Sequence, residues 1–191
     1  MLRATKVRIY PTQEQAEFLI AQFGAVRFAY NKALHLKSHM YRKHGVTLNP
    51  KKDIKPLLAV AKKSRKYHWL KQYDSIALQQ SVINLHQAFD NFFNPKLKAK
   101  YPQFKRRHGK QSSYHCVGVK VLDCAIKLPK IKPIKANIHR EIVGTVKSIT
   151  VSLSKTGKFY ASILVDDGVE APVSLHTVRK VVGIDLGLTL R

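Results

Sequence analysis

The chain has 191 residues, with 35 Lys and Arg against 11 Asp and Glu, a formal charge of +24 and an apolar fraction of 45%. So large a charge exceeds what solubility needs and opposes folding through self-repulsion, which points to a polyanionic partner, while the apolar fraction excludes a purely disordered basic tail. No apolar run approaches the roughly 20 residues that span a bilayer, and Met1 to Tyr10 lacks the apolar core of a signal peptide, so no membrane partner is expected and the location reads as cytoplasmic.

The charge is uneven. Residues 1–150 carry 30 basic and 7 acidic side chains, whereas 151–191 carry 5 and 4, so binding is expected to concentrate before residue 150. Cys116 and Cys124 are too few and too far apart for a metal knuckle, and both are expected to be buried or half-buried free thiols. His35 and His39 stand four apart on a predicted helix, but no Glu completes an HExxH motif and no third ligand is evident.

Thr5, Val7 and Ile9 alternate with Lys6, Arg8 and Tyr10, the pattern of a half-buried strand that Pro11 ends. Thr12 and Gln15 have capping-box spacing, and Ala16, Leu19, Ile20 and Phe23 make one apolar stripe behind them. Gly24 is expected to break or kink this helix, with a second helix from about Ala25 to His44 capped by Gly45. Two short helices about a glycine resemble a helix-turn-helix, although spacing alone fits an ordinary helical hairpin better.

Asp53 to Lys63 predicts a third helix, and Trp69-Leu70 an apolar plug. Asp74 or Ser75 caps a fourth helix, whose residues Leu78, Val82, Leu85, Phe89 and Phe92 fall at steps of 4, 3, 4 and 3 and so form a core face. From Pro95 to Lys110 seven cations, Lys96, Lys98, Lys100, Lys105, Arg106, Arg107 and Lys110, are interleaved with Tyr101 and Phe104 and no acid. A solvated linker is the bland account of such a run; the aromatic residues and the excess charge of the chain favour contact with phosphates and sugars.

Beyond residue 112 the pattern changes to short strands, Tyr114 to Val119 and Lys120 to Leu128, then a clear pair in which Ile149, Val151 and Leu153 alternate, SKTGK turns, and Phe159 to Val165 returns. Asp166 to Thr177 reads as a loop, and Lys180 to Leu186 as a last apolar strand ending in GIDLG. The expected fold class is therefore α+β: residues 1–10 join the later strands in a small antiparallel β-barrel, with the helices inserted between them.

Asp185 closes the last strand, and Gly187 permits close backbone approach. Such a carboxylate serves either a nuclease of the RNase H type, in which several acids hold two magnesium ions, or the first phosphate loop of a sugar-kinase-like ATPase. An ATPase of that kind opens with the motif, whereas here a long basic stretch precedes it, so the nuclease reading is preferred.

The segments KVRIYPTQEQAEFL, VRFAYNKAL, WLKQYDSIALQQSVINLHQAFDNFF, YPQFKRR, IKLPKI and VVGIDLGL, in this order, resemble the TnpB (OrfB) proteins of bacterial insertion sequences, RNA-guided DNA nucleases related to type V CRISPR effectors. The resemblance implies a wedge-type antiparallel β-barrel from residues 1–12 and 95–178, a helical recognition lobe over 13–94, and the first strand of a RuvC domain over 179–191. It implies a guide RNA derived from the transposon end and a target DNA as partners, in a prokaryotic, nucleoid-associated setting. Asp185 matches the first RuvC carboxylate and magnesium ligand. Because the sequence stops six residues later, no cofactor and no cleavage are expected of these residues alone.

Sequence reading is expected on the polar face of the fourth helix. Gln79 lies beside Leu78 and points away from the core, and its amide offers a donor and an acceptor that match the adenine edge in the major groove. Gln80 and Ser75 are alternatives, and Lys71 and the Asn49 to Lys52 segment are candidates for backbone contacts. Two other functions fit less well: a guide-dependent repressor that occupies DNA without cutting it, and a nonspecific basic RNA-binding protein.

Overall fold

A computed structural model of the chain describes residues 1–107 and 112–170. Strand β1, Leu2–Tyr10, has Val7 and Ile9 buried and Lys6, Arg8 and Tyr10 exposed, as its alternation predicts. After Pro11, Thr12 caps helix α1, Gln13–His44: its Oγ1 accepts from the Gln15 N–H at 3.3 Å, and Gln15 Oε1 accepts from the Thr12 N–H at 3.0 Å. This is the capping box, and Gln15 Nε2 also donates to the Pro133 carbonyl at 3.1 Å, tying the helix start to the later strands.

The break expected at Gly24 does not occur. Helix α1 runs unbroken for 32 residues, so neither a helix-turn-helix nor a hairpin forms within it. Buried Leu19, Phe23, Val26, Tyr30 and Ala33, at steps of 4, 3, 4 and 3, carry one stripe straight past Gly24. Burial of that stripe outweighs the roughly 1 kcal/mol by which glycine trails alanine in a helix interior. The helix ends at Gly45, whose φ of +66° supplies the left-handed cap and whose N–H reaches the Tyr41 carbonyl at 3.0 Å.

The helix expected at Asp53 to Lys63 is in two pieces, a π-helical turn over Pro50–Ile54 and helix α2, Lys55–Ala61. Asn49 sets the earlier start: its Oδ1 accepts from the N–H groups of Lys51 and Lys52 at 2.9 and 3.1 Å, while Asp53 Oδ2 accepts from the Asn49 N–H at 2.7 Å. Leu70 is the buried plug, whereas Trp69 stays at the surface, edge-on to Phe28. Helix α3, Ser75–Phe93, is capped by Asp74, whose Oδ1 accepts from the Ile76 N–H at 2.9 Å. Leu78, Val82, Leu85 and Phe89 are buried as their spacing predicts, and Phe92 is half-buried.

Among the described residues six further strands follow: β2 (Ser112–Cys116), β3 (Lys120–Leu122), β4 (Ala125–Lys127), β5 (Ile134–Asn137), β6 (Thr145–Leu153) and β7 (Phe159–Asp166). The single strand expected over Lys120 to Leu128 is thus a tight hairpin of two, and β5 is additional to those expected. All pairings are antiparallel in the order β2-β6-β7-β1-β5-β4-β3, and the sheet curls into a half-barrel. As expected, the first ten residues join the later sheet, for β1 lies between β7 and β5. Gly144 is required where β6 begins, since a Cβ there would lie 2.3 Å from the Asp166 carbonyl oxygen.

The inner face of the sheet shares one core with Leu19, Phe23 and Val26 of α1 and Leu78 of α3. A smaller core, with Tyr30, Leu34, Val82, Leu85 and Phe89, joins the far half of α1 to α3. Cys116 is buried and donates to the Ile149 carbonyl, while Cys124 is exposed, contrary to expectation, in the turn between β3 and β4. Among the described residues no helix is long and apolar enough to cross a membrane. The strand expected at Lys180 to Leu186, and most of the loop before it, lie outside the described residues.

Two predictions follow from these elements. Gly24→Ala should stabilise the protein by about 0.5–1 kcal/mol, because the position is an ordinary helix interior and the new Cβ would meet only Arg27 Nη2, at 3.8 Å. A lower urea midpoint in the variant would show that the helix bends there in solution.

The second concerns the chain start, where the Met1 ammonium donates to Asp167 Oδ1 at 2.8 Å and Asp166 Oδ1 at 3.4 Å, and Arg3 pairs with Asp167. The bond to Asp167 raises the amine pKa above its ordinary 8.0, whereas bonds from the Gly168 N–H and the amine hold Asp166, and bonds from the amine and the Val169 N–H hold Asp167, below 3.8. The clamp's stabilisation is therefore full between those ordinary values, fades as pH falls through the depressed carboxylates and fades again as pH rises through the raised amine. N-terminal acetylation should lower the melting temperature most within that window and least outside it.

Candidate nucleic-acid interface

Ser75 and Gln79, one turn apart on α3, face the same way. Opposite them α2 and the segments around it close a cleft of 470 Å³, into which Lys55, Lys62, Lys63 and Lys71 also project. Pro56, Leu58 and Ala59 give it an apolar floor. Lys62 Nζ donates to Ser75 Oγ at 2.7 Å, joining the end of α2 to the start of α3. Burial lowers the Lys62 pKa, and the nearby Lys130 lowers it further while Asp74 opposes. Lys130 in turn donates to the Lys71 carbonyl.

The structure thus brings together three of the residues singled out in the sequence, Lys71, Ser75 and Gln79. Gln79 is exposed and free to offer its amide, as expected. Gln80 is turned away, half-buried, with its Nε2 on Asn84 Oδ1 at 3.0 Å, so it is not an equivalent of Gln79. The Asn49 side chain is consumed by its capping bonds and is not part of the cleft. Lys55, Lys62 and Lys63 were not singled out; the available signal was eight Lys or Arg between Lys51 and Lys71 against Asp53 alone.

The basic segment after α3 is anchored rather than loose. The Tyr101 hydroxyl meets Ser38 Oγ at 3.0 Å; the Asn31 side chain accepts from the Lys105 N–H at 2.8 Å and donates to the Lys105 carbonyl at 2.9 Å. Residues 101–105 therefore lie strapped along two turns of α1. The Lys105 ammonium sits 4.3 Å from the centroid of the Tyr30 ring, and the partial burial of that charge lowers its pKa. Lys96, Lys98, Lys100, Arg106 and Arg107 are exposed. Lys110 and Asp185 lie outside the described residues.

Among the described residues, none of these cations takes part in an ion pair; the pairs found involve the chain start, Lys147 and His86. No group of three or more His, Cys, Asp or Glu among the described residues is placed to hold a metal ion. What this surface can do chemically is neutralise phosphates and offer one directional amide between them.

The longer relatives decide the family. InsQ of Escherichia coli (strain K12), named as an RNA-guided DNA endonuclease, is 33% identical over 189 residues, 98% of this chain and 46% of InsQ. A protein of Streptomyces pristinaespiralis with the same activity in its name is 31% identical over 192 residues, again covering 98% of this chain and 46% of that protein. The model of the helix-turn-helix domain of OrfB proteins matches residues 1–45.

The chain belongs to the TnpB (OrfB) family.

The chain spans about half the length of the two endonuclease-named relatives. It is also 72% identical over 116 residues to the virulence protein VsdF of Salmonella dublin, which covers 58% of this chain and 98% of VsdF. The stretch matched by the OrfB helix-turn-helix model is, in this TnpB-family chain, β1 followed by the single helix α1, with no turn inside it.

The exposed cations of this TnpB-family chain give a measurable expectation. With about four phosphates neutralised, the slope of log affinity against log salt should be near −3 for single strands and nearer −4 for duplex. Arg106→Ala with Arg107→Ala should flatten the single-strand slope by about 1.4, and Lys105→Ala should flatten it less because its ammonium is already held over Tyr30. A slope unmoved by all three would show a solvated linker.

Proposed function

We propose that these residues form the nucleic-acid-binding portion of a TnpB-like RNA-guided DNA endonuclease, with a guide RNA and a target DNA as partners. The observation that carries this is the cleft, in which, among the described residues, four lysines line the space around the exposed amide of Gln79 and no acidic side chain takes part. Cations at that spacing hold backbone phosphates and set orientation, while a rigidly mounted glutamine can discriminate a base edge. In the finer reading, the curled sheet is a wedge over 1–12 and 95–178, and 13–94 is the recognition lobe. Residues 179–191 begin a RuvC domain, in which Asp185 is the first magnesium-binding carboxylate.

One specific observation favours a second reading. This chain matches VsdF over 98% of that protein's length with 116 of its own residues. A guide-dependent DNA-binding protein that does not cut is the corresponding function. Affinity indifferent to the sequence and shape of the RNA would instead indicate a nonspecific basic RNA-binding protein.

The test is assembly with guide RNA and comparison of target DNAs in which each base of the motif beside the target is varied in turn. Gln79→Ala should relax preference at one position, by about 1–3 kcal/mol of discrimination, with nonspecific affinity almost intact. A uniform loss across all sequences, or no change, would remove base reading from this helix. Lys62→Ala, by contrast, should weaken all sequences alike.

A further inference from the structure

A second concavity, of 760 Å³, lies at the other end of α3, between the far half of α1, the end of α3 and the strap 101–105. Leu34, Phe89 and Phe92 contribute to its lining, as do Tyr41, Phe93 and Phe104, whose exposures are 62%, 69% and 54%. Three large aromatic side chains left in water around one groove are not the scattered single apolar residues of an ordinary surface. The rings behind them are held in place. Tyr101 stands edge-on to Phe89 and Phe92, with centroids 5.5 Å away and planes at 86° and 83°, and its hydroxyl is fixed by Ser38.

Among the described residues, the charged side chains lining the groove are Lys37 and Arg42, and none is acidic. Lys37 Nζ lies 4.8 Å from the centroid of the Phe89 ring, and the exposed Lys96, Lys98 and Lys100 follow directly after α3. Protein-docking cores are depleted of charge, whereas ring faces interleaved with cations are what single-stranded nucleic acids bind, bases stacking and phosphates neutralised. Thr47 and Gln103 add a hydroxyl and an amide to the same lining, groups that suit a ribose 2′-hydroxyl, both donor and acceptor.

We propose that this groove is a stacking site for unpaired bases of single-stranded RNA, with Phe93 and Phe104 as the platforms. The proposal deepens the function given above and rests on it. It concerns neither the cleft at Gln79 nor base pairing, because a duplex keeps its bases stacked on one another and offers no free faces here.

The experiment uses the 191-residue chain, an unstructured oligouridylate, its deoxyuridylate counterpart and a duplex, with affinity read by fluorescence anisotropy over a range of salt. Phe93→Ala with Phe104→Ala should weaken oligouridylate binding about ten-fold or more, leave the salt slope and duplex affinity unchanged, and be rescued by Phe93→Tyr with Phe104→Tyr. Both positions are surface ones, so an unchanged melting temperature should accompany the loss. Thiouridine in the oligomer should crosslink to Phe93, Phe104 or Tyr41. Salt-dependent RNA affinity in the wild type with none lost in the alanine variant overturns the stacking site and leaves the nucleic-acid-binding function standing. Equal loss with the duplex overturns it as well, and equal affinity for the deoxyuridylate overturns the commitment to RNA. No salt-dependent affinity in the wild type overturns the underlying function itself.

Discussion

The hydrogen bond between Gln22 and Asp74 fixes where helix α3 starts against α1. Gln22 is fully buried in α1, and its Oε1 accepts from the Asp74 backbone N–H at 2.9 Å; Asp74, also buried, then caps α3. One amide thus couples the long helix to the first turn of the helix that carries Ser75 and Gln79. Gln22 Nε2 and Asp74 Oδ2 are buried and have no hydrogen-bond partner within the described protein. The carboxylate is also felt by its neighbours: after burial, which is the larger cause, it helps push the Cys116 thiol up to about 12 and raises Tyr114. An apolar residue at 22 would fill the space but leave the Asp74 N–H unpaired at the point where α3 begins.

The cleft built on that joint is strained electrostatically rather than sterically. Lys62 is half-withdrawn from water, bonded to Ser75 and close enough to Lys130 for the second charge to depress its pKa. Lys130, meanwhile, is tied to the Lys71 carbonyl. Like charges held this way repel one another, and under the proposed function a phosphate entering the cleft would relieve that repulsion.

What could be read in the sequence was whatever a single element states by itself. The alternation of Val7 and Ile9, the Thr12–Gln15 box, the α3 stripe and the β6–β7 pair are local, and each stands where expected. Gly24 does not break α1, because its propensity cost of about 1 kcal/mol is outweighed by the burial of the stripe on either side of it, which local spacing does not reveal. β5 escaped because only Ile134 and Ala136 mark it, within a stretch crowded with Lys and Pro. Cys124 is exposed because a two-residue turn between three-residue strands leaves nothing to bury it. Ser75 and Gln79 share one helical phase, but Lys55 of α2 and Lys62 and Lys63 just after it face them across the Lys62–Ser75 bond, which no spacing reveals. The aromatic groove was legible only in its Tyr101 and Phe104 part, since its other walls come from α1 and α3.

Helix α3 finally relates the two surfaces to each other. Gln79 and Phe93 are fourteen residues apart, about 21 Å of rise and about 40° around the helix axis. An amide suited to a base edge and an aromatic platform suited to an unpaired base are therefore mounted on nearly the same side of one rigid rod. If both proposals hold, a ligand that engages both surfaces is a paired helix at one end and a frayed or single strand at the other. The strap 101–105 reinforces that geometry, since Asn31 and Ser38 bind it to α1 two turns apart and so keep the Phe104 wall from drifting relative to Phe93. The spacing comes from helix geometry and two side-chain clamps rather than from loops, so the two surfaces are held at a fixed distance before any nucleic acid arrives.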